Sequence, residues 1–331
     1  MGGKLFLVIF EHIINKGKWI SAVILLLVPG LFSGCGKAGN ESAGISNERI
    51  SITEEELDIE GVNKEFSLFF VADSHISLCD DRDAVLKDKA KFRSTLFKHD
   101  GIEAWDSLEL LFEDTINKDD DLVVMGGDIV DSAMYASIDR VKAQTDKLKR
   151  PFIYYMGNHD FEYGTEYFTD KAYSDYLPRF KDLRGDKPFQ VKEYEDFTVF
   201  AMDDMDCQIG KEALAAYKAV DAKDKPIILA LHSPILPVKD QEDLRNKCDK
   251  LYGPGSVYKK HLLMGSEGCR PNEVTKEFLK LVLAKDSPVV LVLAGHLHFY
   301  HKDMLNSSIP QIITGPAFMG EALRIRIKHG N

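Results

Sequence analysis

Six apolar stretches of this chain run directly into Asp, Asn or His: SLFFVAD at 67–73, DLVVMGGD at 121–128, PFIYYMGNHD at 151–160, FTVFAMDD at 197–204, PIILALHSP at 226–234 and PVVLVLAGHLH at 288–298. Most are continuous apolar runs, the pattern of strands buried on both faces. Between them Ile102, Trp105, Leu108, Leu111, Phe112 and Ile116 recur at helical spacing, and residues 132–149 and 272–284 can form further amphipathic helices. Strands alternating with helices predict a layered α/β domain. The polar residues fall at the C-terminal end of every strand: Asp73 and His75, Asp128, Asn158 and His159, Asp203 and Asp204, His232, His296 and His298. In open α/β sheets that end is where ligands bind. One such ending is an ordinary turn; six point to a site.

The side chains gathered there are carboxylates, an amide and imidazoles, and nitrogen and oxygen donors without thiolate suit Zn, Mn or Fe. Asp73 and His75 stand two apart, as do His296 and His298, so in extended chain each pair shares a face at about 6 to 7 Å and can reach one ion or adjacent ions. The series D-S-H (73–75), G-D-I-V-D (127–131), G-N-H-D (157–160), H (232) and G-H-L-H (295–298) resembles the calcineurin-like metallophosphoesterases, in order and over the stretch from Phe66 to His301. The resemblance implies a layered β-sandwich of mixed sheets flanked by helices, with a dinuclear metal site at the C-terminal ends of the strands. It implies Asp73, His75, Asp128 and His298 on one metal and Asn158, His232 and His296 on the second, with Asp128 bridging. Two divalent ions and two aspartates leave a charge of about +2, suited to a phosphate ester. Such an ion pair can hold a bridging hydroxide for in-line attack on phosphorus. By the same resemblance His159 is the general acid that protonates the leaving oxygen, and Asp160 is expected to orient its imidazole. Gly157 lets the backbone turn tightly enough to present Asn158, His159 and Asp160 together.

Asp131 stands where the purple acid phosphatases carry a tyrosine ligand and is expected to accept from a ligand histidine instead. Asp203 and Asp204 match no ligand position and read as a turn at the site rim. His99, His261, His301 and His329 read as surface residues. The implied activity is hydrolysis of phosphomonoesters or phosphodiesters; a surface lipoprotein that keeps the metal site only for binding is the competing reading. All seven ligand positions and His159 are present, which favours the enzyme.

The N-terminus differs from everything that follows. Lys16 and Lys18 precede fourteen mostly apolar residues, WISAVILLLVPGLF, and then Ser33-Gly34-Cys35. This is the layout of a signal peptide, too short to span a bilayer comfortably. The small residues before the cysteine resemble the lipobox of bacterial lipoproteins, with Phe32 where that pattern prefers Leu; an uncleaved membrane anchor is the alternative. The resulting organisation is a leader at 1–34, an acylated Cys35 with a flexible tether to 65, and a catalytic domain at 66–331 with an insertion at 233–270. The protein is thus expected to be exported and lipid-anchored, facing outward from a bacterial cell membrane. Net charge is −11, and −13 without residues 1–34, which hold Lys4, Lys16 and Lys18 against Glu11. That balance argues against a polynucleotide partner. In an oxidising compartment Cys79, Cys207, Cys248 and Cys269 can pair. The insertion, rich in Pro, Gly and polar residues, is expected to lie over the site mouth and to be stapled by Cys248–Cys269, with pairs to Cys79 or Cys207 left open.

Overall fold

The computed structural model describes residues 10–15, 18–23, 49–161, 169–223 and 225–330. Phe10–Asn15 (β1) and Lys18–Val23 (β2) pair as an antiparallel hairpin. The rest of the expected leader, Ser33 and Gly34 included, and Cys35 after it lie outside the described residues. Among the described residues no helix is long and apolar enough to cross a membrane.

All six predicted strands form. Phe66–Val71 (β4), Leu122–Gly126 (β5) and Phe152–Tyr155 (β6) run parallel to one another in a five-stranded sheet. Ser51–Ile59 (β3) and Glu321–His329 (β13) complete it in the order β3-β13-β4-β5-β6. Thr198–Met202 (β8), Ile227–Ala230 (β9) and Val289–Ala294 (β10) form the parallel centre of a six-stranded sheet. Phe189–Glu193 (β7), His301–Met304 (β11) and Pro310–Ile313 (β12) fill out its order, β11-β12-β10-β9-β8-β7. Each sheet mixes parallel and antiparallel pairs.

The two-residue period of a strand sends alternate side chains to opposite faces, and here both faces are buried. Leu68 and Phe70 of β4 join Val199, Ala230, Leu291 and Ile325 in a core between the sheets. Phe69 and Val71 of the same strand turn outward onto Leu108, Leu111 and Phe112 of Ala104–Lys118 (α2) and Val141 of Tyr135–Thr145 (α3). The second sheet is covered by Lys211–Asp221 (α7) and Glu273–Val282 (α10), which bring Leu214, Tyr217, Phe278 and Val282 onto Phe200 and Val292. Asn272 caps α10 by accepting from the Thr275 N–H at 2.9 Å, which starts the helix where the sequence places it. The result is the expected sandwich of two mixed sheets flanked by helices.

Two sequence expectations are corrected. Residues 51–59 are not tether: SITEEELDI pairs parallel with β13 along its whole length, from Ser51 opposite Glu321 to Ile59 opposite His329. Its acidic side chains face the basic ones of β13, Glu54 with Arg326 at 3.1 Å and Glu56 with Lys328, so an edge strand with few apolar residues looks like a linker by composition. The expected Cys248–Cys269 bond is also absent. Cys269 pairs with Cys207 across 6.0 Å between Cα atoms, while Cys79 and Cys248 are free thiols. Cys248 lies on Glu242–Tyr252 (α8), buried against Leu244, Leu263 and Leu297.

Candidate dinuclear metal centre

The ends of the strands are built from unusual backbone. Asp73, His75, Asp128, His296 and His298 all have positive φ, between 48° and 72°, a conformation that costs a non-glycine residue about 1–3 kcal/mol. Five such residues in one place are held by bonds between neighbouring loops. Asp73 N–H donates to Gly127 O at 3.1 Å, His75 N–H to Asp128 O at 2.9 Å, and Gly295 N–H to His232 O at 3.1 Å. Carboxylates tie the loops further: His296 N–H donates to Asp73 Oδ2 at 2.9 Å and His159 N–H to Asp128 Oδ1 at 2.7 Å. Gly157 is needed for close approach, because a Cβ there would sit 2.6 Å from His232 Cδ2.

Six of the sequence-predicted ligands converge as two adjacent groups. Ligand atoms of Asp73, His75 and His298 lie within 4.8 Å of one another, as do those of Asp128, His232 and His296. Asp128 stands between them, its Oδ2 3.0 Å from His232 Nε2 and 3.8 Å from His75 Nε2. Nε2 of His75 and His298 are 3.0 Å apart, and His296 Nδ1 is 3.2 Å from His232 Nε2. At each place two ring nitrogens are aimed at one point. Asn158 opens the short helix Asn158–Phe161 (α4), directly before His159, and is half-buried.

Acceptors outside the cluster choose which nitrogen of each ring faces inward. His232 Nδ1 is 2.9 Å from Gly126 O, His296 Nε2 is 2.8 Å from His261 O, and His75 Nδ1 is 3.4 Å from Asp131 Oδ1. Each contact holds a proton on the outward nitrogen and so reserves the inward one for a metal, the support a metal-ligating imidazole needs. Burial holds the His75 imidazole down at about 4 and that of His296 at about 3. Burial also presses His232 downward, but Asp128, Asp73 and Asp204 overcome it and pull His232 up to about 10. Burial raises the Asp128 carboxyl, and the imidazoles, His232 foremost, outweigh it and hold Asp128 well below the carboxylate range. Two buried carboxylates that stay ionised and hold the His232 imidazole in its charged form mark a place whose charge suits cations, and the nitrogen and oxygen donor set fits two Zn, Mn or Fe ions.

His159 is one-fifth exposed, and its Nδ1 lies 3.0 Å from Asp131 Oδ1. This corrects the role expected for Asp160. The Asp160 carboxylate is fully buried and taken up by other donors, accepting from the N–H groups of Asp128 (2.7 Å), Gly157 (2.8 Å) and Val130 (2.9 Å) and from Tyr154 O–H (2.8 Å). It staples the β5 and β6 loops together, while Asp131 orients His159. Burial and the nearby Asp128 push the Asp160 carboxyl up to about 7.

Asp203 and Asp204 are not at a solvent-exposed rim. Both are buried: Asp204 accepts from the N–H groups of His232 and Ser233 at 2.9 and 2.7 Å, and Asp203 accepts from Met156 N–H at 2.9 Å and pairs with Arg184. His301, expected at the surface, is buried between Asp243 and Asp303. Two residues of the site escaped the sequence reading. Arg93, near the end of Lys87–Leu96 (α1), grips Asp131 at 2.6 and 2.7 Å, and the Phe97 ring stacks on His75 with centroids 4.0 Å apart. An arginine and a phenylalanine in KFRSTLF carry no motif that would have singled them out. The insertion does lie on the metal face, where Tyr252 O–H donates to Leu297 O at 2.9 Å and His261 O meets His296. It also has a small core of its own, in which Leu244, Val257 and Leu263 pack on Leu297. A cavity of about 490 Å³ lined by Arg150, Phe152, Arg184, Lys187, Gln190 and Lys192 opens elsewhere and shares no residue with the cluster.

The profile of the calcineurin-like phosphoesterases matches residues 66–300. Among solved structures the chain is similar to a dimetal phosphatase from Danio rerio at 14% identity, covering 77% of this chain and 88% of that one with a TM-score of 0.47. It is also similar to a purple acid phosphatase from yellow lupin seeds, at 13% identity and a TM-score of 0.47, covering 80% of this chain and 46% of that one. A third similar structure is a Haemophilus influenzae NAD nucleotidase, at 12% identity and a TM-score of 0.39, covering 76% of this chain and 45% of that one. No curated protein sequence matches the chain. The chain belongs to the calcineurin-like phosphoesterases, and with them to the metal-dependent hydrolases of phosphoric esters.

Proposed function

We propose that the protein hydrolyses phosphomonoesters or phosphodiesters at this centre, with His159 as the acid that protonates the leaving oxygen. The observation that carries the reading is the His159–Asp131 pair beside the two ligand groups, since Asp128 groups with His232 and His296 on one side and with His75 and His159 on the other and also accepts the His159 N–H. Asp73, His75, Asp128 and His298 would hold one ion, and Asp128, Asn158, His232 and His296 the other. When bound, the two ions activate the attacking water and neutralise the phosphoryl oxygens. The remaining work falls to the chain. Asp131 accepts from His159 Nδ1, which leaves Nε2 as the atom that delivers a proton, and the partial exposure of His159 lets an ester reach it. The insertion, resting on His296 through His261 O, is placed to select which esters enter.

The reading extends to location. Lys16, Lys18, the apolar run to Phe32 and Ser33-Gly34-Cys35 support export and acylation at Cys35, which would set the site against ester head groups near a bacterial cell membrane. A screen of the purified protein with Mn²⁺, Zn²⁺ or Fe²⁺ against chromogenic mono- and diesters tests the activity. Metal-dependent release of nitrophenolate supports it, and inertness toward every ester with metal bound removes it. Labelled fatty acid incorporated by wild type and lost in Cys35→Ala tests the anchor.

A further inference from the structure

The contacts around Asp131 carry more than the orientation of His159. Its carboxylate is 1% exposed, and three elements meet on it. From α1, Arg93 donates through Nε to Oδ2 at 2.6 Å and through Nη2 to Oδ1 at 2.7 Å, the two-point grip in which guanidinium and carboxylate planes fix each other. From the β4 loop, His75 Nδ1 approaches Oδ1 at 3.4 Å; from the β6 loop, His159 Nδ1 approaches the same oxygen at 3.0 Å. One oxygen therefore serves both a ring aimed at the first ligand group and the ring assigned as proton donor. Arg93 Nη2 also lies 3.2 Å from His159 Nδ1, and its guanidinium sits 5.2 Å above the Phe97 ring that stacks on His75. Without the guanidinium, two imidazoles alone would have to hold a buried carboxylate whose rotamer decides where both point.

We infer that Arg93 is a positioning residue that couples the two halves of the centre: by fixing Asp131 it sets His75 for the first ion and His159 for proton delivery at once. The inference rests on the functional reading above for its activity arm and stands without it for its metal arm. Neither Arg93 nor α1 belongs to the strand-end motifs, so the coupling is supplied by the segment between β4 and α2.

The test uses Arg93→Ala and Arg93→Lys in the full protein, with thermal unfolding to confirm that each folds. Metal-free protein is titrated calorimetrically with Mn²⁺, and turnover is measured on a chromogenic ester. In Arg93→Ala one of the two Mn²⁺ events should weaken by about 10- to 100-fold, the usual effect of losing an outer support of a metal ligand, while the other is retained. kcat should fall by a similar factor with KM little changed, and millimolar guanidinium should restore part of it. Arg93→Lys, which keeps the charge but loses the fork, should fall between. In a His159→Ala background Arg93→Ala should still lower the metal affinity, and at saturating Mn²⁺ its further effect on kcat should be smaller than in the wild-type background. Raised KM with unchanged kcat and unchanged Mn²⁺ binding would make Arg93 a substrate contact and overturn the inference. Folded variants with wild-type binding and turnover would overturn it as well. If wild type binds Mn²⁺ but cleaves no ester, the titration alone still decides the coupling.

Discussion

Replacing Asp160 by Ala separates two roles that the motif G-N-H-D leaves undivided. The carboxylate accepts four hydrogen bonds in full burial, three from backbone N–H groups of the β5 and β6 loops and one from Tyr154. A buried donor stripped of its acceptor costs about 1–3 kcal/mol, so four suggest an upper bound of roughly 4–12 kcal/mol. Two effects reduce it: water can enter the space left by the carboxyl, and the repulsion from Asp128 that helps push Asp160 up to about 7 disappears. The expected loss is about 3–5 kcal/mol, at the high end for a single substitution, measured by urea unfolding of metal-free protein. The pH dependence has a definite sign. A folded value of about 7 lies above the ordinary aspartate value of 3.8, so the stabilisation due to this proton is fully present below about pH 4 and is lost as pH rises through about 7. Asp160→Asn should remove that slope. A variant with wild-type stability and metal content but crippled turnover would refute the staple and return Asp160 to the orientation of His159.

His159→Ala should keep both metals and slow turnover by roughly 10²- to 10⁴-fold, with a smaller loss on nitrophenyl esters than on alkyl esters, as steady-state kinetics on the two classes would show. Metal affinity should rise with pH between 6 and 8, because His232, pulled up to about 10, must release its proton to bind, while His75 and His296, held at about 4 and 3, are already neutral. Calorimetry in buffers of different ionisation enthalpy reads that proton, and an affinity flat over the range would contradict the assignment. Cys269→Ser should lower stability by about 2–4 kcal/mol, since the bond closes a separation of 62 residues. A non-reducing peptide map should recover Cys207 with Cys269, and the Cys248 thiol, pushed up to about 12 by burial, should alkylate slowly.

What could be read from the sequence follows from how the site is made. A ligand at a strand end shows itself twice, as a polar residue where an apolar run stops and as a member of a short motif, and Asp73, His75, Asp128, His232, His296 and His298 have both marks. The structure adds that most of these positions are left-handed turns, which residue type alone does not reveal. Groups that act on the ligands from elsewhere carry no such mark. Asp131 was visible as an acceptor for a ligand ring, but its hold on His159 depends on where the β5 and β6 loops meet, and Arg93 arrives from a helix whose sequence is ordinary. β3 was missed because an edge strand paired through Glu54 and Glu56 needs little apolar surface. A pair with Cys207 was left open beside Cys248–Cys269 and could not be chosen from the sequence, because Cys207 and Cys269 come together only once the strand-end loop after β8 and the insertion are both in place.

The most direct test of the account is anomalous diffraction from crystals of Mn²⁺- or Zn²⁺-loaded protein, for wild type and Asp128→Asn. The account predicts two peaks about 3.5–4 Å apart in wild type, one beside His75 and His298, one beside His232 and His296, with the Asp128 carboxylate between them, and loss of occupancy at both in the variant. A single ion in wild type, ions away from these side chains, or two full peaks in Asp128→Asn would contradict it.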